Sequence, residues 1–114
     1  MNQRLRLGFE SEMSQAFALY LAQDLGAAFR HLERAHVLSQ AHAFPHLRVH
    51  VAMLRIGLRR RDLREILGQW IRVLAAAPAS LLGHYPRGNT GGSNVHLLRP
   101  MPIPPDLEAL LDGK

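Results

Sequence analysis

The sequence contains no cysteine. Disulfides and thiolate metal sites are thereby excluded, and any bound metal must be held by His, Asp, Glu or backbone oxygen. Long apolar runs are missing too. Nothing approaches the roughly 20 consecutive apolar residues of a membrane span. The opening MNQRLRLGFESEM has no apolar segment after its basic residues, so neither a secretory signal nor a membrane partner is expected. The expected setting is the bacterial-type cytosol. Glycine and proline are scarce in the first two-thirds: eleven of the sixteen lie beyond Ala77. That distribution makes the early chain helical in character and the last third irregular.

Lysine is nearly absent, one residue against thirteen arginines, and with nine acids the formal net charge is +5. Arginine forks favour carboxylate and phosphate, so an acidic partner or nucleic acid must be considered. The plainer reading is that Arg is the solubilising residue, because net charge bears on association rather than on fold. At 114 residues the chain is long enough for one core, so residues 1–114 read as a single domain.

Residues 1–9 give no clear local signal. Ser11 or Ser14 can cap a first helix, with Glu10 and Glu12 near its positive end. Met13, Phe17, Tyr20 and Leu21 follow at helical spacing, and Asp24-Leu25-Gly26 reads as a turn. A second helix is expected from about Ala27 to Gln40. The two together resemble a tetratricopeptide-type hairpin through Ala16, Ala18, Ala22, Ala28 and the run LERA, with no second copy at a period near 34. Phe44-Pro45 suits the first turn of a third helix reaching about Leu58. Asp62, with Glu65 three residues on, caps a fourth from Leu63 to Ala77, and Pro78 marks its end or a kink. Leu63, Ile66, Leu67, Trp70, Val73 and Leu74 give this helix a wide apolar face.

The expected architecture is therefore all-α: about four helices in two antiparallel hairpins, TPR-like or bundled, over residues 1–82. Residues 83–114 form an extended Gly/Pro-rich segment ending in a short helical turn at DLEALL. Met101, Ile103, Leu107 and Leu110 are apolar enough to dock that tail on the helices.

Five of the seven histidines fall between His31 and Met53. Each helical residue turns about 100°, which puts Arg48, Arg55 and Arg59 in one wet sector of the third helix. His46, His50, Met53 and Gly57 lie opposite. An i, i+4 histidine pair can chelate one ion from a single helix. On the second helix Phe29, Leu32 and His36 share a stripe with Glu33 and Gln40 at its edge. Glu33-x-x-His36 has the i, i+3 spacing of helix-bundle metal sites. Antiparallel packing through a short turn brings His36 to face His46 and His50, with Glu33 within reach as ligand or base. Such a set suits a divalent transition metal (Zn, Fe, Ni or Cu), and an open position makes it a candidate catalytic centre. The competing reading is a group of core histidines, each satisfied by Glu33, Gln40 or a carbonyl. His31 and His42 do not share the face. His84 and His96 bracket the glycine loop and reach the cluster only if that loop folds over it.

Asn89, Thr90, Gly91 and Gly92 could form a backbone nest for an anion or simply a tight structural turn. No lysine and no preceding strand accompany them, so a nucleotide cofactor is not expected. Arg59, Arg60, Arg61 and Arg64 form a basic patch between the third and fourth helices. It could meet phosphates, or balance a helix C-terminus.

LERAH (32–36), HxxxHxxML (46–54), RDLREILGQ (61–69), PxGNTGGxNV (86–95) and PMPIPPDL (100–107) resemble a family of small bacterial proteins of unknown function. The likeness spans Leu32 to Leu111 and implies an intact member of that family. It brings with it no activity, cofactor or catalytic residue, but His36, His46, His50, Asn89 and Thr90 all lie inside the matching segments. The functional expectation is a small metal-binding protein using Glu33, His36, His46 and His50, with a metal-dependent enzyme as its extension. The alternatives are a TPR-like module for a protein partner or a homodimer, and a weak basic nucleic-acid binder.

Overall fold

The computed structural model describes residues 1–113 and consists there of five helices with no strand. Helix α1 spans Gln3–Leu21, α2 Leu25–Ser39, α3 Ala43–Arg60, α4 Leu63–Leu82 and α5 Pro105–Leu111. Helix α1 packs along α2 and α3 along α4; α2 joins the two hairpins through α3, and α5 lies across α1 and α2. This is the all-α arrangement of two hairpins, with the terminal turn grown into a fifth short helix.

The first helix begins earlier than Ser11 or Ser14. Asn2 is its cap, its side-chain oxygen accepting from the backbone N–H of Leu5 at 2.8 Å. The reason is burial: Leu5, Phe9, Glu12 and Ala16, at spacings of four, three and four, form the inward stripe. Phe17 and Leu21 stand beside it and remain exposed. Asp24 caps α2 through the N–H of Ala27, and Asp62 caps α4 through the N–H of Glu65. Each such cap satisfies one of the orphan donors of a helix start.

Helix α4 does not stop at Ala77 but continues through Pro78 to Leu82. The ring of Pro78 is on an exposed side, where the helix tolerates the lost backbone bond. The face α4 turns inward is also not its leucine face. It buries Gln69, Arg72, Ala76 and Ser80, while Leu63, Leu67, Trp70 and Leu74 remain more than half exposed. Small and polar residues are what the opposing surface of α3 requires, because that surface carries His46 and His50.

The dry core lies among α1, α2, α3 and α5, around Phe9, Leu32, Leu38, Val49, Met53, Ile56 and Leu107. Beside it, between α2, α3, α4 and the loop after α4, the interior is polar. No described helix is long and apolar enough to cross a membrane.

Candidate metal centre

His36 comes from the last turn of α2, His46 and His50 from the first two turns of α3. The short Gln40–His42 turn folds the two helices so that all three rings meet in the interior, each at most 4% exposed. Their Nε2 atoms form a nearly equilateral triangle: 3.0 Å from His36 to His50, 3.0 Å from His46 to His36, and 3.1 Å from His50 to His46. The rings meet edge to face or tilted, with centroids 4.7 to 4.9 Å apart.

The partners on the other ring nitrogen decide where the protons are. His36 Nδ1 lies 2.6 Å from the carbonyl of Asn89, which can only accept. His50 Nδ1 lies 2.7 Å from Gln69 Oε1. The amide of Gln69 is oriented by its Nε2, which donates to the carbonyl of Gly91 and to Glu65, so Oε1 is an acceptor. His46 Nδ1 lies 2.8 Å from Ser80 Oγ, whose own proton goes to the carbonyl of Gln40. The Ala76 carbonyl acts on His46 in the same sense.

All three Nδ1 atoms are therefore donors, and all three Nε2 atoms present bare lone pairs to one another. In metal sites, outer hydrogen bonds of this kind fix imidazole tautomer and orientation. Burial, reinforced for His36 and His50 by the neighbouring rings and Arg72, holds every ring well toward its neutral form. His46 is lowered to about 4, His50 to about 3, and His36 well below its usual value.

The three histidines form the one group of potential metal ligands among the described residues. Glu33 is not in it. Its half-buried carboxyl takes a hydrogen bond from Thr90, and desolvation raises its pKa. An i, i+3 step rotates Glu33 away from the direction of His36 by one-sixth of a turn, enough to aim it at the loop. His31 pairs instead with Glu12 at 2.7 Å. His84 lies on the rim of the cavity beside the triad, whereas the His96 ring accepts from the N–H of Leu98.

The glycine loop closes the cluster from the C-terminal side. Asn89 is buried; its amide donates to the carbonyls of His96 and Arg99, and its Oδ1 accepts from the N–H of Gly91. Gly91 has φ +86°, and a Cβ there would come within 2.5 Å of the His36 ring. Glycine is required at that point by both conformation and space. At the opposite end of α3, Arg59, Arg60, Arg61 and Arg64 are exposed. Arg59 and Arg60 lie over the rings of Tyr20 and Phe29, and Arg61 closes α3 in the left-handed conformation.

Three contributors were invisible to sequence patterning. Gln69, Ser80 and Arg72 sit in a helix whose obvious signal is leucine. Only the regular spacing of 69, 72, 76 and 80 along one face could have flagged them.

Residues 3–111 match the model of a family described as a protein of unknown function, DUF3703, and the chain belongs to that family. No characterised protein and no solved structure matches it.

Proposed function

We propose that this DUF3703 protein is a metal-binding protein whose His36, His46 and His50 hold one divalent transition metal through Nε2. The observation that carries this reading is the triangle of bare lone pairs. Three imidazoles whose only protons point outward cannot hydrogen-bond to one another, and an unshared lone pair facing another at 3.0 Å is repulsive. A cation at the centre of the three turns that repulsion into coordination.

The dimensions fit with little adjustment. Metal–nitrogen bonds of about 2.0–2.1 Å at tetrahedral angles need nitrogens about 3.3–3.4 Å apart. The triangle has to open by only a few tenths of an ångström. A proton is the weaker occupant, because burial holds the rings neutral at ordinary pH. Imidazole-only ligation suits zinc, iron, nickel or copper(II). It leaves the fourth position of a tetrahedral ion to a non-protein ligand, as in three-histidine catalytic sites, so metal-dependent catalysis is the natural extension.

The test is elemental analysis of untagged protein purified without chelators, beside the His46→Ala/His50→Ala double variant. One metal per chain in the wild type, lost in a variant of unchanged helicity, is the expected result. Absence of metal after zinc, iron, nickel and copper have each been offered would overturn the reading. The adaptor alternative has its own support in an open groove of about 400 Å³ between α1 and α3, lined by Met13, Phe17, Tyr20 and Val51 among others. A metal-free protein that co-purifies with a partner displaced by Phe17→Glu would favour it.

A further inference from the structure

A cavity of about 120 Å³ adjoins the three histidines, and Arg72 contributes to its wall. Arg72 is itself 8% exposed and takes part in none of the ion pairs among the described residues. Its two terminal nitrogens donate to the carbonyls of Gly68 and Val95. The acid that acts on it electrostatically is Glu65, whose carboxylate is already engaged by Gln69 Nε2 and the N–H of Ser93. No Asp or Glu lines the cavity.

Resting on the metal reading, we infer that the site takes a small oxyanion or carboxylate as the fourth metal ligand, with the Arg72 guanidinium as its second anchor. Neutral imidazoles leave a divalent ion its full charge, and Arg72 places a further positive charge beside it. Buried charge of one sign is costly until it is compensated. The described residues offer no carboxylate inside the cavity, so the compensating anion comes from solution. Guanidinium is the side chain best shaped for two oxygens of one planar anion. At about 30 Å³ per water, the volume corresponds to about four waters. That is room for formate, acetate, bicarbonate or phosphate beside the triad.

Cobalt(II)-loaded protein gives the test, since its visible d–d spectrum reports each change of ligand. Formate, acetate and phosphate are titrated at constant ionic strength into the wild type and into Arg72→Gln. The expected result is a saturable spectral change in the wild type, with at least tenfold weaker anion binding in the variant and cobalt affinity within a few-fold of wild type. Cobalt binding with no response to any of the three anions would overturn this inference and leave the metal reading standing. Failure to bind cobalt at all would remove both. Equal anion affinity in wild type and variant would overturn the part played by Arg72. Should Arg72→Gln not fold, Arg72→Lys keeps the charge and removes the fork, and unchanged formate affinity there would count equally against the anchor.

A different observation carries a second inference. Leu63, Leu67, Trp70, Leu74 and Leu81, with Ile71 and Leu82 beside them, show 53 to 78% of their surface along one side of α4. Together they expose on the order of 1,000 Å², against ~300–600 Å² for the largest patch of a typical monomer and ~800 Å² per partner in a standard stable interface. Positions 63, 67, 70, 74, 77 and 81 alternate steps of four and three, the spacing of a two-helix seam. The geometry points to a second copy of this chain packed antiparallel through α4. Direction follows from charge: the last turn of α4 has no basic residue, and an antiparallel copy sets Arg61 and Arg64 of one chain against that carbonyl end of the other. A parallel pair would crowd the arginines together.

Light scattering after size exclusion is expected to give twice the 12.8 kDa chain mass, and Leu67→Glu/Leu74→Glu to give a folded monomer. A wild type that is monomeric at every concentration, or that instead sediments with phosphatidylglycerol vesicles, would overturn the dimer. The cysteine-free background allows a direct check of direction. Leu63→Cys and Leu81→Cys chains are expected to form a mixed disulfide when combined, whereas self-linking of Leu63→Cys would overturn the antiparallel arrangement.

Discussion

The two hairpins bury opposite kinds of surface. Helices α1 and α2 meet through Leu5, Phe9, Ala16, Ala28 and Leu32, with one buried carboxylate, Glu12, among them; His31 and Arg34 hold it, and Arg34 also reaches Asp106 at the edge. Helices α3 and α4 meet through His46, His50, Gln69, Arg72 and Ser80, all at most 8% exposed. The first interface is non-directional and tolerant of small shifts, because its stabilisation scales with apolar area. The second is directional: outside the Nε2 triangle its buried polar side chains have designated partners, and removing one partner leaves the other stranded. The apolar core around Phe9, Leu32, Val49 and Met53 therefore carries the bulk of the apolar burial, and the α3–α4 contact fixes where three nitrogens point.

That division can be broken from either side. The largest effect on stability is expected from Phe9→Ala, which empties a fully buried site and costs about 3–5 kcal/mol. Chemical denaturation measures it, while metal affinity of the folded fraction stays at the wild-type value. Gln69→Ala should lower stability by less, about 1–3 kcal/mol from the stranded His50 and Gly91 groups. It should also weaken metal binding 10–100-fold by releasing His50 from its orientation. Competition with a chromophoric chelator reads this affinity. Opposite rankings of these two variants in the two assays would abolish the distinction between the halves.

A pH series sharpens the same contrast. In the metal-free protein the three imidazoles are held below the ordinary histidine value, so the folded state binds fewer protons than the unfolded chain. Their contribution to stability is present above about pH 6.5. It is lost as pH falls toward the lowered values, about 4 for His46 and about 3 for His50. Metal in excess should add about 2.7 kcal/mol at one hundred times its Kd, an increment that shrinks on acidification as protons compete for Nε2. Denaturation midpoints between pH 3 and 7, with and without zinc, are the measurement. A stability that does not fall below pH 6 would contradict the neutral triad. The smallest effect is expected at the rim. Arg48 pairs with Glu10 at 2.6 Å, both about half exposed, so Arg48→Ala should change stability by less than about 1 kcal/mol.

How much of this was legible in the sequence divides along the same line. A 100° wheel is enough to put His46 and His50 on the buried side of one helix and His36 on that of the next, because each lies within a single periodic segment. The acceptors that fix their tautomers stand 19, 34 and 53 residues away, at Gln69, Ser80 and Asn89. No local pattern connects residues at such distances. Glu33 shows the converse: its spacing to His36 fits a metal pair, but the loop that folds back supplies Thr90 as its partner. The leucines of α4 show that periodicity identifies an apolar face without saying what it meets. The early start of α1 was hidden because Arg4 and Arg6 alternate with the Leu5 that is buried.

The placement of Asn89 bears on the order in which the protein is made. Its carbonyl sets the proton on His36, and its side chain is held by His96 and Arg99. Just beyond, the N–H of Met101 donates to the carbonyl of Arg87 at 3.1 Å. During synthesis all four long helices therefore leave the ribosome before the last clasp on the histidines exists. Until then His36 lacks the acceptor that fixes its tautomer. On the proposed metal reading, tight chelation is expected only once the segment from Asn89 to Met101 has been made and has folded back over the triad.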